Sequence, residues 1–237
     1  LSAQAVERIA AGGARLLVAV DCGISAVEEA ALARRLGMVV VVVDHHEPPP
    51  LLPDADALVD PKVGREGFRE YCAAGLAWML MRLLWSRRGR GPAEELVELA
   101  AIGTLADVVP VLGPNRILAK VGLARLPNSP LPGLRALLRA AGLSDRVTAD
   151  DVVWRLAPRL NASGRLESAR LSLELLLTED PEEAERLSAE LEVLNQRRQR
   201  LQEEVVEAAV QAALGLDPGR RATLVLWGEW HPGVLGI

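Results

Sequence analysis

The sequence predicts an α/β protein: a parallel sheet with a helical portion, then a long connecting helix and the start of a second α/β segment. Three observations predict it. Two short apolar runs, "RLLVAV" at residues 15–20 and "MVVVVV" at 38–43, flank a helical stretch at 26–36, which makes a strand–helix–strand unit with short turns. From Cys72 onward the apolar spacing turns helical and ends in a stretch from Pro181 to about Leu214 with no internal Gly or Pro. Beyond it, "ATLVLW" at 222–227 reads as a new strand.

Each element has a local reason. The valines at 39–43 are too β-branched for a good helix, and their lack of alternation predicts a strand buried on both faces. Ser25 is the expected N-cap of the helix at 26–36, and Gly37 its C′ residue. A third run at 57–59 ends at Asp60-Pro61. Helices are expected at 73–87, 93–105, 115–126 and 134–141. Asp180 caps a helix with Pro181 at its first position. At 1.5 Å per residue that helix is roughly 50 Å long, more than one small domain needs, so it reads as a connector. The expected domains are residues 1–180, the helix 181–214, and the beginning of a second domain at 215–237.

Composition narrows the function. Half of the 237 residues are hydrophobic and a quarter are charged, an ordinary globular balance. No apolar run nears the roughly 20 residues of a membrane helix. Cys22 and Cys72 stand alone, which suits the reducing cytoplasm. The net charge of −5 speaks against a purely electrostatic nucleic-acid binder. With five Trp, Tyr71 and Phe68 as the only aromatics, a stacking platform for single strands is not expected. Both termini fall inside structured-looking patterns, so the chain reads as an internal segment.

Chemistry concentrates at the strand ends. In an open parallel sheet, ligands bind beyond the carboxyl ends of the strands. Asp21 and Asp44-His45-His46 both follow strands of one unit, so they share an edge. Asp107, in "AIGTLADVVPV", lies at a helix-to-loop transition between Gly103 and Pro110. A lone aspartate after a strand more often caps a turn; two adjacent histidines beside one point to a metal or phosphate site. Carboxylates with imidazole suit Mn²⁺ or Mg²⁺ better than a thiolate-rich zinc site, though imidazole also admits Zn²⁺ or Co²⁺.

At these residues the sequence resembles a known family. "VVDHH" is similar to the signature of the DHH phosphoesterase superfamily. "VAVDCGIS" (18–25), "GTLADVVP" (103–110), "RLNASGR" (159–165), "LNQRRQ" (194–199) and "WHPGVLGI" (230–237) resemble, in order, the motifs of RecJ-type single-strand exonucleases. The resemblance implies a DHH domain at 1–180 and the opening of a DHHA1 domain at 215–237. It implies two Mn²⁺ or Mg²⁺ ions in the intact protein. Asp21 matches a bridging ligand, His45 and Asp107 match ligands of one ion, His46 faces the substrate phosphate, and Asp44 orients a histidine. Arg159, Asn161, Arg165 and His231 match residues that hold phosphate or backbone, and planar guanidinium groups grip phosphate bidentately. Arg197, Arg198 and Arg200 meet the strand or form a solvated helix face, and Arg155 reads as a solvated helix-end residue.

The implied activity is 5′→3′ hydrolysis of single-stranded DNA in recombination and repair, with single-strand-binding protein or a repair helicase as partners. The family's first Asp-x-Asp motif is not in the sequence, so the chain itself is expected to be weak or inactive. Two alternatives stand beside this: a nano-RNA or small-phosphoester phosphodiesterase of the same superfamily, and a non-catalytic DHH-fold replication scaffold. The scaffold reading sits poorly with the intact Asp21, His45, His46 and Asp107.

Overall fold

A computed structural model describes residues 1–64, 67–91, 96–214 and 223–236. The chain forms two compact units, Leu1–Leu126 and Pro127–Ile237.

The first unit opens with helix α1 (Ala3–Ala11), capped by the Ser2 hydroxyl, then strand β1 (Leu16–Val20), helix α2 (Val27–Arg35) and strands β2 (Val39–Val43) and β3 (Ala57–Val59). The strands pair in parallel in the order β1-β2-β3. All three expected strands form. On one face, Leu17, Val40 and Val42 pack with Val6 of α1 and Ala30 and Ala33 of α2. On the other, Leu16, Val18 and Val20 are exposed. The burial on both faces expected for β2 is met only in part: Val40, Val42 and Val43 are buried, Val41 is half-buried and Val39 is exposed. The N-cap of α2 is Ala26, not Ser25, with no side-chain bond; Glu28 and Glu29 in the first turn supply favourable charge instead. Gly37 has φ +82°, as its position after the helix requires.

Helices α3 (Ala73–Arg87), α4 (Val97–Ala106) and α5 (Gly113–Arg125) complete this unit. The first half-turn expected for α4, at residues 93–95, lies outside the described residues. Helices α4 and α5 approach closely at Gly122, where a Cβ would lie 2.2 Å from that of Ala101. Beside this contact the buried Glu98 is paired with Arg125. Asp107 is the C-cap of α4, which places it at the predicted helix-to-loop transition.

The second unit contains α6 (Pro132–Ala140), a short α7 (Ala149–Asp151), a π-helical turn (Val152–Leu156), α8 (Ala157–Leu166), α9 (Arg170–Leu177) and α10 (Pro181–Leu214). Thr148 and Asp151 form a capping box at the start of α7. The π turn runs directly into Pro158, which has no N–H to close an ordinary helical bond to residue 154. Leu134, Leu137, Leu156, Leu175, Leu187 and Leu191 form the core. Helix α10 has its expected length, but its buried residues run only from Ala184 to Arg198. Its first half is thus a core element of this unit.

The strand expected at 222–227 does not form at 223–227, and Ala222 lies outside the described residues. Val225 and Trp227 are 80% and 87% exposed, and no described segment pairs with this run. A strand without a neighbour has nothing to satisfy its backbone N–H and C=O groups. A 3₁₀ turn at Pro232–Val234 follows. Among the described residues no helix is long and apolar enough to cross a membrane.

Candidate metal centre and anion cleft

The first unit gathers five of the expected site residues at the carboxyl edge of its sheet. Ligand atoms of Asp21, Asp44, His45 and His46 all lie within 4.8 Å of one another. Asp107 joins from the end of α4, its Oδ2 3.7 Å from His45 Nδ1. The backbone is contorted where the acids sit: Asp21 has φ +64°, and Val108, next to Asp107, has φ +59°. The left-handed conformation is uncommon for aspartate and costly for a β-branched residue, and such strain collects at functional sites.

Asp44 is fully buried and accepts hydrogen bonds on both oxygens. Its Oδ2 takes the Ile24 N–H at 2.9 Å; its Oδ1 takes the His45 N–H at 2.8 Å and sits 2.7 Å from His46 Nδ1. Burial alone would raise its pKa. The bonds from Ile24, the His46 ring and the backbone of His45 and His46 outweigh burial and lower it. The same contact raises the pKa of His46, against a smaller opposing effect of burial. Asp44 is therefore an anchor whose lone pairs are already spoken for.

His45 lies between two acids. Its Nε2 is 3.2 Å from Asp21 Oδ1 but makes no hydrogen bond, so this buried nitrogen is unsatisfied. Asp107 stands on the Nδ1 side of the ring. Burial raises the Asp107 pKa, with His45 opposing and Asp21 adding to the shift. An orphaned buried imidazole nitrogen facing an exposed carboxylate is a donor set that a divalent cation completes. Asp60, directly after β3, was not singled out from sequence. It is buried, its Oδ1 accepts from the Lys62 N–H, and its Oδ2 has no partner. The signal was its place, after a strand of the same sheet.

The other expected site residues belong to the second unit. Asn161 and Arg165 line a cleft of about 760 Å³ between α8 and α10. Arg159 is tied to Glu192 at 2.7 Å and to the Arg155 carbonyl. Arg165 donates to the Gly233 carbonyl at 3.2 Å, and His231 Nδ1 accepts from the Gly233 N–H. Gly233 is needed there, since a Cβ would lie 2.1 Å from the Arg165 carbonyl oxygen. Arg155 is a staple rather than a solvated residue: it pairs with Asp151 and donates to the Ala141 and Gly142 carbonyls. Arg198, left open from sequence, is 6% exposed; Arg197 and Arg200 are exposed.

Residues 3–104 match the model of the DHH family, N-terminal domain. A single-stranded-DNA-specific exonuclease RecJ of Bacillus subtilis is 42% identical over 241 residues, covering 99% of this chain and 30% of that protein. The structure of RecJ in complex with Mn²⁺ from Thermus thermophilus superposes with a TM-score of 0.90 at 39% identity, covering 99% of this chain and 35% of that one. RecJ in complex with Mg²⁺ from the same organism gives 0.71 at 36% identity, covering 99% and 39%. The chain thus spans between 30% and 44% of the curated relatives it matches. Residues 3–104 are similar to the DHH family's N-terminal domain, and nearly the whole chain is similar to part of the RecJ exonucleases.

Proposed function

We propose that this chain is part of a metal-dependent exonuclease that hydrolyses phosphodiester bonds of single-stranded DNA from the 5′ end. The observation that carries the reading is the His45 ring, buried between Asp21 and Asp107 with its Nε2 unsatisfied. Asp21, His45 and Asp107 would hold Mn²⁺ or Mg²⁺, the ions named for two related RecJ structures. When bound, such ions polarise the phosphodiester and make an attacking water more acidic. His46, charged more readily because of Asp44, would face the phosphate through its exposed edge. Asn161 and Arg165 would hold the nucleic-acid backbone, with Arg159 adding positive field and His231 ordering the turn behind Arg165. Residues 1–180 would form the DHH domain, α10 the connector, and 215–237 the opening of the DHHA1 domain. A cytoplasmic location and a repair role beside single-strand-binding protein or a helicase follow from such a substrate.

The test uses single-stranded oligonucleotides labelled at either end, with Mn²⁺. The chain is assayed alone and set within the flanking sequence of the Bacillus subtilis relative, each with a His45→Ala control. Prompt release of mononucleotides from the 5′ label by the longer chain, lost in His45→Ala, supports the proposal. Cleavage confined to very short oligonucleotides would move the protein to the nano-RNA branch. A longer chain that binds Mn²⁺ and cleaves nothing would favour the scaffold.

A further inference from the structure

We infer that the cleft of the second unit is a nucleotide subsite in which a base stacks on Trp154 while its phosphate sits against Arg165 and Arg198. The inference rests on the nucleic-acid reading above and goes beyond it, adding two residues and a mode of recognition.

Arg198 sets the charge. It is 6% exposed, and its bonds go only to neutral acceptors: Nε and Nη2 to Asn195 Oδ1 at 3.2 and 3.0 Å, and Nη1 to Gln202 Oε1 at 2.8 Å. No carboxylate pairs with it among the described residues. Arg165, on the same cleft, is satisfied by a backbone carbonyl, which leaves its charge unbalanced too. A buried cation is ordinarily matched by an anion. Here two guanidinium groups face one cleft without one, and planar guanidinium groups match phosphate oxygens bidentately. Glu203 and Glu207 also line the cleft, but both are exposed, so water screens them as it does not screen Arg198.

Trp154 sets the recognition. It is 75% exposed, an unusual state for the largest apolar side chain, and it lines the same cleft. It sits on the π turn that precedes Pro158, and such turns are frequent at functional sites. Val153, Ala157 and Pro158 give the cleft an apolar lining beside it. An exposed indole next to unbalanced guanidinium groups matches a nucleotide's two parts, flat base and charged phosphate.

The test measures fluorescence anisotropy of labelled single strands with this chain in EDTA, which blocks digestion. One oligonucleotide is oligo-dT; the other has the same length with abasic residues throughout. The wild type is expected to bind oligo-dT at least about fivefold more tightly, the lower range of stacking on one aromatic. Trp154→Ala should remove that preference while leaving abasic binding intact, and Trp154→Phe should retain part of it. Arg165→Gln should weaken both strands alike. Trp154 is mostly exposed, so its variants are expected to keep the wild-type circular dichroism and melting temperature. A wild type that binds both strands equally, or a Trp154→Ala that keeps the preference, overturns this inference alone. A wild type that binds neither strand overturns it together with the nucleic-acid reading.

Discussion

Asp44 begins the signature that caught the eye in the sequence, yet it is the residue least able to ligate a metal. Fully buried, it accepts from Ile24, from the His45 and His46 backbones and from the His46 ring. Removing it leaves two buried backbone donors unpaired, those of Ile24 and His45, each a desolvation cost of about 1–3 kcal/mol. Asp44→Ala is therefore expected to lower the unfolding free energy by on the order of 3 kcal/mol, measured by urea denaturation of the metal-free protein. His45→Ala should behave oppositely. Its Nε2 has no partner, so stability should change less, while Mn²⁺ affinity measured by calorimetry should be lost. A His45→Ala chain that binds Mn²⁺ as the wild type does would remove His45 from the centre. The sequence made Asp21, His45 and Asp107 legible because strand ends and a helix end locate them by local pattern. It could not reveal Asp60's unpaired oxygen or Arg198's burial, because both depend on neighbours far along the chain.

At the scale of elements, close contacts and caps decide. Gly122 lets α4 and α5 touch, with the Ala101 Cβ and the Val97 carbonyl in the space a side chain would need. Alanine is the better helix former by about 1 kcal/mol. Even so, Gly122→Ala should destabilise the first unit by a net of about 1–3 kcal/mol, because overpacking at backbone distance has no flexible atom to yield. In the second unit the capping box of Thr148 and Asp151 starts the segment that carries Trp154. Thr148→Ala should cost about 1 kcal/mol at neutral pH. Bonds from the Thr148 side chain and backbone lower the Asp151 pKa below its ordinary 3.8. The carboxylate's contribution is thus fully present above about pH 4 and is lost as pH falls through the depressed value. The stability gap between wild type and Asp151→Asn should accordingly close on acidification, which pH-dependent denaturation would record. Strands and helices of this protein were readable wherever apolar spacing is local. No strand forms at 223–227, because β-branched residues mark a strand only where a partner exists.

For the whole molecule, the number of cations it holds is set by how many donors remain uncommitted. A hard divalent ion takes about six oxygen or nitrogen ligands, several of them water, and needs two or three from protein to bind tightly. Asp44 is occupied by hydrogen bonds, and His46 spends its Nδ1 on Asp44. Of the expected ligands, that leaves the exposed carboxylate of Asp21, the Nε2 of His45 and the partly exposed carboxylate of Asp107; Asp60 also has an unpaired oxygen, but it is buried. These donors suffice for one ion. A second could share only Asp21 and the outer nitrogen of His46, too few to compete with water. Titration of this chain with Mn²⁺ should therefore show one tight site, with any further binding much weaker. Asp21→Asn should remove that site, because it takes the one charged donor facing Nε2. Asp107→Asn should weaken it too, because it removes the second of the two charged donors counted above. Two tight, equal sites would mean that the chain offers donors beyond these, and an Asp107→Asn variant that binds Mn²⁺ as the wild type does would take Asp107 off the ion.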